Sequence, residues 1–372
     1  MGRPRKPICI KEVGEAEFLM IRAFFLLLVS SSSSSCKRFF KQLSMSSSSS
    51  SKRFMEYPSD HGLQKASFVD RYKRFLADVK LQGGVTHPMD NVKDDGTIVV
   101  HCPNTGPMIS LLPSSRDKPL QCAVSCIDDE ALKKSKRKYR MTLEMVEIEN
   151  SLYVGIHSAL ANRIVAKALA SNLVDEFHGY SSMKREVKLG DSTIDFELLF
   201  TDNGSNAVKK RVLIEVKSVT LAVDDAGGAL RRAVFPDCVS DRATRHASCL
   251  TDHQIKFDSS SREDSIITET AILFLVQRHD CSHFSASTYD VEYAKALHRA
   301  HENGVKILPY HIKLDPFSDN SIEWLGKLPF IDIVGNGEMC LEDFEAVGAK
   351  KKNVNKKNTT TATANINKKP KL

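Results

Sequence analysis

STIDFELLFTDNGSNAVKKRVLIEVKSVTL, residues 192–221, holds two runs of two-residue period around a polar break. In the first run Ile194, Phe196 and Leu198 point one way and Asp195 the other. In the second, Val212, Ile214 and Val216 share one face while Glu215 and Lys217 share the opposite one. TDNGSN at 201–206 is a natural turn, so the runs are expected to pair as a hairpin that brings Asp195 opposite Glu215 and Lys217. Carboxylates that interrupt apolar strands are costly unless paired, hydrated or coordinated. Asp195 and Glu215 together make an oxygen-rich place for a hard divalent cation, Mg2+ or Mn2+. Lys217 would orient an attacking water or offset developing negative charge. Glu186, nine residues before Asp195, would supply a further ligand or hold a water on the metal. Such a set suits metal-assisted phosphodiester hydrolysis. The same spacing also fits a structural ion-pair cluster.

Outward from this stretch the pattern is mixed α/β. SALANRIVAKALASNLV (158–174) places Leu160, Ile164, Ala168 and Leu169 on one helical face, with Ser158 able to cap it. Strands are expected at 184–189, 193–200 and 210–221, then a helix at 240–250 and the apolar strand TAILFLVQ at 270–277. A helix at 290–302 with Asp290 as its cap and the strand VKILPYHI complete this domain, placed at 157–336. Trp324 reads as core packing near its end. On the other side, SFVDRYKRFLADVKL, TIVVHC, LQCAVSCI, SLYVGI and the strand carrying Met141 to Val146 are short and punctuated by glycine and proline. They predict a small antiparallel barrel of the oligonucleotide-binding kind over 67–156.

The net charge of +7 is unevenly spread. The stretch 350–372 carries eight lysines and no acid, and residues 1–59 sum to +6, which leaves 60–349 at −7. The body is therefore acidic, and any basic surface on it is local. The lysine-rich tail, 337–372, reads as disordered from about 350. Residues 1–66 read as a disordered leader or a cleaved organelle presequence, with serine runs and no acid between Phe18 and Phe54. That presequence would place the protein in a mitochondrion or plastid; without it the cytoplasm or nucleus is expected. No apolar run is long enough for a membrane helix, and nine scattered cysteines without a CxxC pair argue against a disulfide framework.

VDRYKRFLADV, HCPNTGPM, REVKLGDSTIDF, IEVKSVTL, AVFPDCVSDRATRH and TAILFLVQR, in this order over roughly 68–335, resemble the sugar fermentation stimulation protein family. The resemblance implies an amino-terminal oligonucleotide-binding-type barrel joined to a restriction-endonuclease-like domain of the PD-(D/E)xK class. It also implies DNA binding and a regulatory link to sugar metabolism. The acidic and lysine positions of the class motif fall on Glu186, Asp195, Glu215 and Lys217. The chain departs from the family at Pro107, where Arg or Ser is usual after NTG, at Thr193, where Arg is usual, and at ASCL (247–250). These departures weaken the basic surface more than the metal site.

Arg242, Arg245 and His246 stand at i, i+3 and i+4 and are expected on one helical face as phosphate contacts. Lys73 and Arg74 are candidates near the start of the barrel. So are Lys136, Arg137 and Lys138, in a run that reads equally as a backbone-binding edge or an ordinary surface loop. Asn104, Thr105 and Gly106 read as a tight turn whose amides could receive an anion. The leading expectation is a DNA-binding protein, single-stranded DNA included, with a nuclease-like divalent-metal site. An active Mg2+-dependent nuclease and a noncatalytic protein-interaction scaffold are the rivals, and a homo-oligomer is compatible with each.

Overall fold

The most apolar stretch of the chain organises the structure. Along Ile267–Val276, Ala271, Leu273 and Leu275 join one buried cluster while Ile272, Phe274 and Val276 join another. A strand buried on both faces is what a central parallel strand requires. The structure, a computed structural model, describes residues 52–59, 61–83, 91–112, 120–135, 137–202, 207–225, 228, 230–258 and 266–337. The expectations for residues 1–51, for Lys136, for 203–206 and for the lysine-rich tail beyond 337 lie outside the described residues.

Strand β1 (Lys52–Glu56) precedes a barrel built from β2 (Leu63–Tyr72), β3 (Leu76–Leu81), β4 (Ile98–His101), β5 (Leu120–Cys126), β6 (Met141–Glu147) and β7 (Tyr153–Gly155). Their order is β4-β3-β2-β5-β6-β7, and a bridge between His101 and Thr142 joins β4 to β6 and closes the strip. Phe68, Val79, Val100, Val124, Leu143 and Val154 fill its interior. Between β5 and β6 lies helix α1 (Asp129–Ser135), with acids in its first turn and lysines in its last, matching its dipole.

The second domain follows with helix α2 (Leu160–Ala170), β8 (Ser182–Leu189), β9 (Ser192–Thr201), β10 (Val208–Val219), β11 (Ala222–Asp224) and β12 (Arg231–Phe235). Then come α3 (Asp241–Asp258), β13 (Ile267–Val276), β14 (His283–Ala286), α4 (Val291–Glu302), β15 (Lys306–Asp315), β16 (Ser321–Lys327) and β17 (Phe330–Ile331). The main sheet runs β1-β16-β15-β13-β10-β9-β8, with β10, β13 and β15 parallel. A smaller sheet runs β11-β12-β14-β17. Helix α2 buries Ile164, Val165, Ala168 and Leu169 against one face of the main sheet; α3 and α4 bury Ala247, Leu250, Tyr293 and Leu297 against the other. This is the expected oligonucleotide-binding-type barrel followed by a mixed α/β domain.

Two local expectations change and two hold. Ordered strands begin at Lys52 rather than near Ser67: β1 pairs antiparallel with β16, so the chain contributes an edge strand to the large sheet before it builds the barrel. Ser158 does not cap α2; its hydroxyl donates to the Pro103 carbonyl (3.0 Å), tying the helix start to the barrel. Asp290 does cap α4, accepting from the Tyr293 amide, and its second oxygen accepts from the Ser240 amide (2.8 Å) ahead of α3. Trp324 is buried against Tyr310 and Phe54 in β16, as core packing.

Candidate metal centre and nucleic-acid interface

The β9–β10 ladder ends where Ile214 faces Phe196. Beyond that point the alternation expected for β9 breaks, because Ile194 packs on the α3/α4 side while Phe196 and Leu198 pack on the α2 side. Asp195 sits at the break. Its Oδ2 accepts the Val216 amide (2.8 Å), which β9 no longer pairs, and its Oδ1 accepts Nδ2 of Asn162 on α2 (2.6 Å). On β10 the alternation is kept: Val212, Ile214 and Val216 face α2, and Glu215 and Lys217 face the other way.

Glu215 is 3% exposed. Its Oε1 accepts from Lys217 Nζ (2.5 Å) and is paired with His246 Nδ1, while its Oε2 is buried without a hydrogen-bond partner among the described residues. Burial opposes ionisation of Glu215, but the bonds and charges of His246 and Lys217 outweigh it, and its carboxyl lies below the usual range. Asp195 moves the other way, raised by burial and then by the Glu215 charge. The hydroxyl of Tyr293, from α4, is also buried and unpartnered, and is pushed upward first by burial and then by Glu215 and Asp290. Two neighbouring carboxylates, one with an orphaned oxygen, fit a bound cation: each Asp195 oxygen accepts a single hydrogen bond and keeps a free lone pair.

The other expected site residues separate. Glu186 lies across from Asp195 in the β8–β9 register, between the pairs Arg185–Phe196 and Val187–Ile194, but it is exposed, at φ +53°, with no hydrogen bond or ion pair to another described residue. His246 does not share a solvent face with Arg242 and Arg245. It belongs to the buried stripe of α3 with Ala243, Ala247 and Leu250 and meets Glu215, while the two arginines are exposed. Lys73 and Arg74 form the β2–β3 turn, both at positive φ and both exposed. Arg137 and Lys138 are exposed in the short link after α1, with the Lys138 ammonium 5.6 Å from the Tyr139 ring.

The NTG turn is closed by its own asparagine, and the anion received beside it is one of the protein's own. Asn104 Oδ1 accepts the Gly106 amide (2.8 Å), and the Met108 amide donates to Asp237 Oδ2 (3.3 Å) in the second domain. A Cβ at Gly106 would lie 2.8 Å from that carboxylate oxygen, so glycine is needed for the close approach. HCPNTGPM and FPDC are therefore a docking pair between the domains.

Asn162, Asp237 and Tyr293 were not expected at these positions. Asn162 stands on α2 beside Arg163, and nothing in that amphipathic pattern singled it out. Separately, His298, Glu302 and Asp332 bring three ligand atoms within 4.8 Å of one another, a potential metal-coordinating triad.

Comparison with known proteins places the two domains. Residues 69–156 match the model of the SfsA N-terminal OB domain and residues 159–318 that of the sugar fermentation stimulation protein RE domain. A sugar fermentation stimulation protein homolog of Shewanella woodyi is 32% identical over 255 residues, covering 68% of this chain and 92% of its own. The chain belongs to the sugar fermentation stimulation protein family. The homolog of Desulfotalea psychrophila is 34% identical over 67% of this chain and 88% of its own, and that of Trichodesmium erythraeum 33% identical over 74% and 94%. Among solved structures, Pyrococcus furiosus SfsA in complex with Ca2+ superposes with a TM-score of 0.56, over 74% of this chain and 99% of that one. At 21% identity this likeness speaks for the fold. Family and fold agree on a barrel and a nuclease-like domain, and no helix among the described residues is long and apolar enough to cross a membrane.

Proposed function

We propose that this family member binds DNA and that its nuclease-like domain holds Mg2+ or Mn2+ on Asp195 and Glu215. The observation that carries the reading is the buried, partnerless Oε2 of Glu215 beside a second carboxylate whose proton affinity is raised. A buried acceptor left open in this way is costly unless something fills it. The Pyrococcus furiosus protein was solved with Ca2+, another oxygen-seeking ion, which supports this class of ligand. Asn162 would hold Asp195 in place and His246 would hold Glu215, in the way outer hydrogen bonds orient ligands. Exposed Arg242 and Arg245 on α3, the helix that carries His246, supply phosphate contacts. Glu186 is the residue that bound nucleic acid or a hydrated ion would have to draw in. A regulatory link to sugar use rests on the relatives' name, with DNA binding as its means.

A second reading, phosphodiester hydrolysis, is favoured by Lys217, whose ammonium contacts the Glu215 carboxylate with only 11% of its side chain exposed. When bound, a hard divalent cation polarises a phosphoryl oxygen and makes water a better nucleophile at neutral pH. Lys217 Nζ would orient that water and offset the charge that develops on phosphate. Nicking of supercoiled and single-stranded DNA by the full chain, with and without Mg2+ or Mn2+, tests this. Cation-dependent cleavage that Asp195→Asn or Lys217→Ala lowers by about 10³-fold, some 4 kcal/mol of barrier, is the expected result. No cleavage by the wild type under any of these conditions removes the hydrolytic reading and leaves cation-linked binding.

A further inference from the structure

We infer a second divalent-cation site, of the zinc class, formed by His298, Glu302 and Asp332 and built from none of the residues of the Asp195–Glu215 centre. His298 and Glu302 stand at i and i+4 near the end of α4 and so share one helical face. Asp332 directly follows β17, whose parallel pairing with β14 carries it to that helix end. One imidazole nitrogen and two carboxylate oxygens lie within 4.8 Å of one another.

The spacing suits the ion. His298 Nδ1 and Asp332 Oδ2 are 2.8 Å apart. In a tetrahedral site with bonds of about 2.0–2.1 Å, neighbouring ligand atoms are roughly 3.3 Å apart, so an ion replacing the shared proton would widen this pair by only about half an ångström. The carboxylate is also held from behind. Its other oxygen accepts the Gly335 amide (3.1 Å), and the Asn336 amide donates to the Asp332 carbonyl (2.9 Å). A Cβ at Gly335 would lie 2.5 Å from Asp332 Oδ2 and 3.3 Å from His298 Cε1, so the turn closes tightly around both ligands. A backbone shell that fixes one carboxylate oxygen and aims the other at an imidazole is the arrangement that orients metal ligands. Glu302 is exposed and completes the donor set from the solvent side. One nitrogen with two oxygens selects a borderline ion, Zn2+ before Mg2+, and three protein ligands leave a position open to water.

Calorimetric titration of Zn2+ into the chelator-treated full chain tests the site, with Co2+ absorption as a second readout. The wild type should bind one tight Zn2+, with an affinity that His298→Ala and Asp332→Asn each lower at least about 10-fold. Glu302→Gln, on an exposed side chain that folding does not need, should lower it less, and Glu215→Gln should leave it unchanged. Co2+ should give visible d–d bands without a thiolate charge-transfer band. Wild-type zinc affinity in both Glu302→Gln and His298→Ala, loss of the tight ion in Glu215→Gln alone, or a dominant thiolate band would each overturn the assignment.

Discussion

Two buried glutamates with histidine partners, Glu144 in the barrel and Glu215 in the main sheet, are opposites in how their charge is met. Glu144 accepts from the hydroxyl of Tyr57 (2.7 Å) and of Ser125 (2.5 Å) and lies 2.7 Å from His157 Nδ1. Tyr57 and His157 stand at the two places where the chain crosses between the main sheet and the barrel, so Glu144 fastens both crossings. Burial opposes its ionisation, but His157, Ser125 and Tyr57 outweigh burial and its carboxyl is held low. Glu215 has comparable support on one oxygen and none on the other, with Asp195 adding negative charge beside it. The first carboxylate is satisfied by the protein on both oxygens; the second keeps one oxygen without a partner among the described residues. A buried acid therefore reads as structural or functional according to what its second oxygen touches.

Removing each acid should separate them most clearly. Glu144→Ala strands Tyr57, Ser125 and His157 and should cost about 3–5 kcal/mol in urea unfolding. Glu215→Gln in chelator-treated protein weakens the pairing with Lys217 and His246 but relieves Asp195, and should cost less, about 1–3 kcal/mol. Equal losses would erase the distinction.

The pH dependence should have opposite signs. The folded carboxyl of Asp195 is raised above its ordinary 3.8, so its contribution to stability is full below that value and is lost as pH rises through the raised one. That of Glu144 is lowered from 4.5, so its contribution is present above that value and is lost as pH falls through the lowered one. In metal-free unfolding curves, Asp195→Asn should gain on the wild type as pH rises across the carboxylate range. Glu144→Gln should fall further behind over the same range. Parallel curves for the two variants would contradict the assignment.

The smallest expected effect lies at the surface. Arg242→Ala should weaken DNA binding modestly and reduce the slope of log affinity against log salt by about one, because it removes one phosphate contact. An unchanged slope would take α3 out of the interface.

Much of this was legible in the sequence because the signals are local. Period-two alternation marked β10, an unbroken apolar run marked β13, and the hairpin spacing put Asp195 near Glu215. What was not legible depended on distant or three-dimensional context. The edge strand β1 pairs with β16 across more than the whole barrel, so nothing near Lys52 announces it. His246 is close in angle to Arg242 and Arg245 on the helix, yet the apolar stripe of Ala243, Ala247 and Leu250 takes it inward. Asp195 breaks its strand's alternation to reach the Val216 amide, a bond that no spacing rule encodes. Nothing near HCPNTGPM announces that the Met108 amide meets Asp237, 129 positions away.

The most direct test is calorimetric titration of Mn2+ into the chelator-treated full chain, comparing wild type, Glu215→Gln and His298→Ala. The wild type and His298→Ala should both bind an ion that Glu215→Gln loses. Mn2+ binding that is the same in Glu215→Gln as in the wild type would contradict a cation at the orphaned Glu215 oxygen.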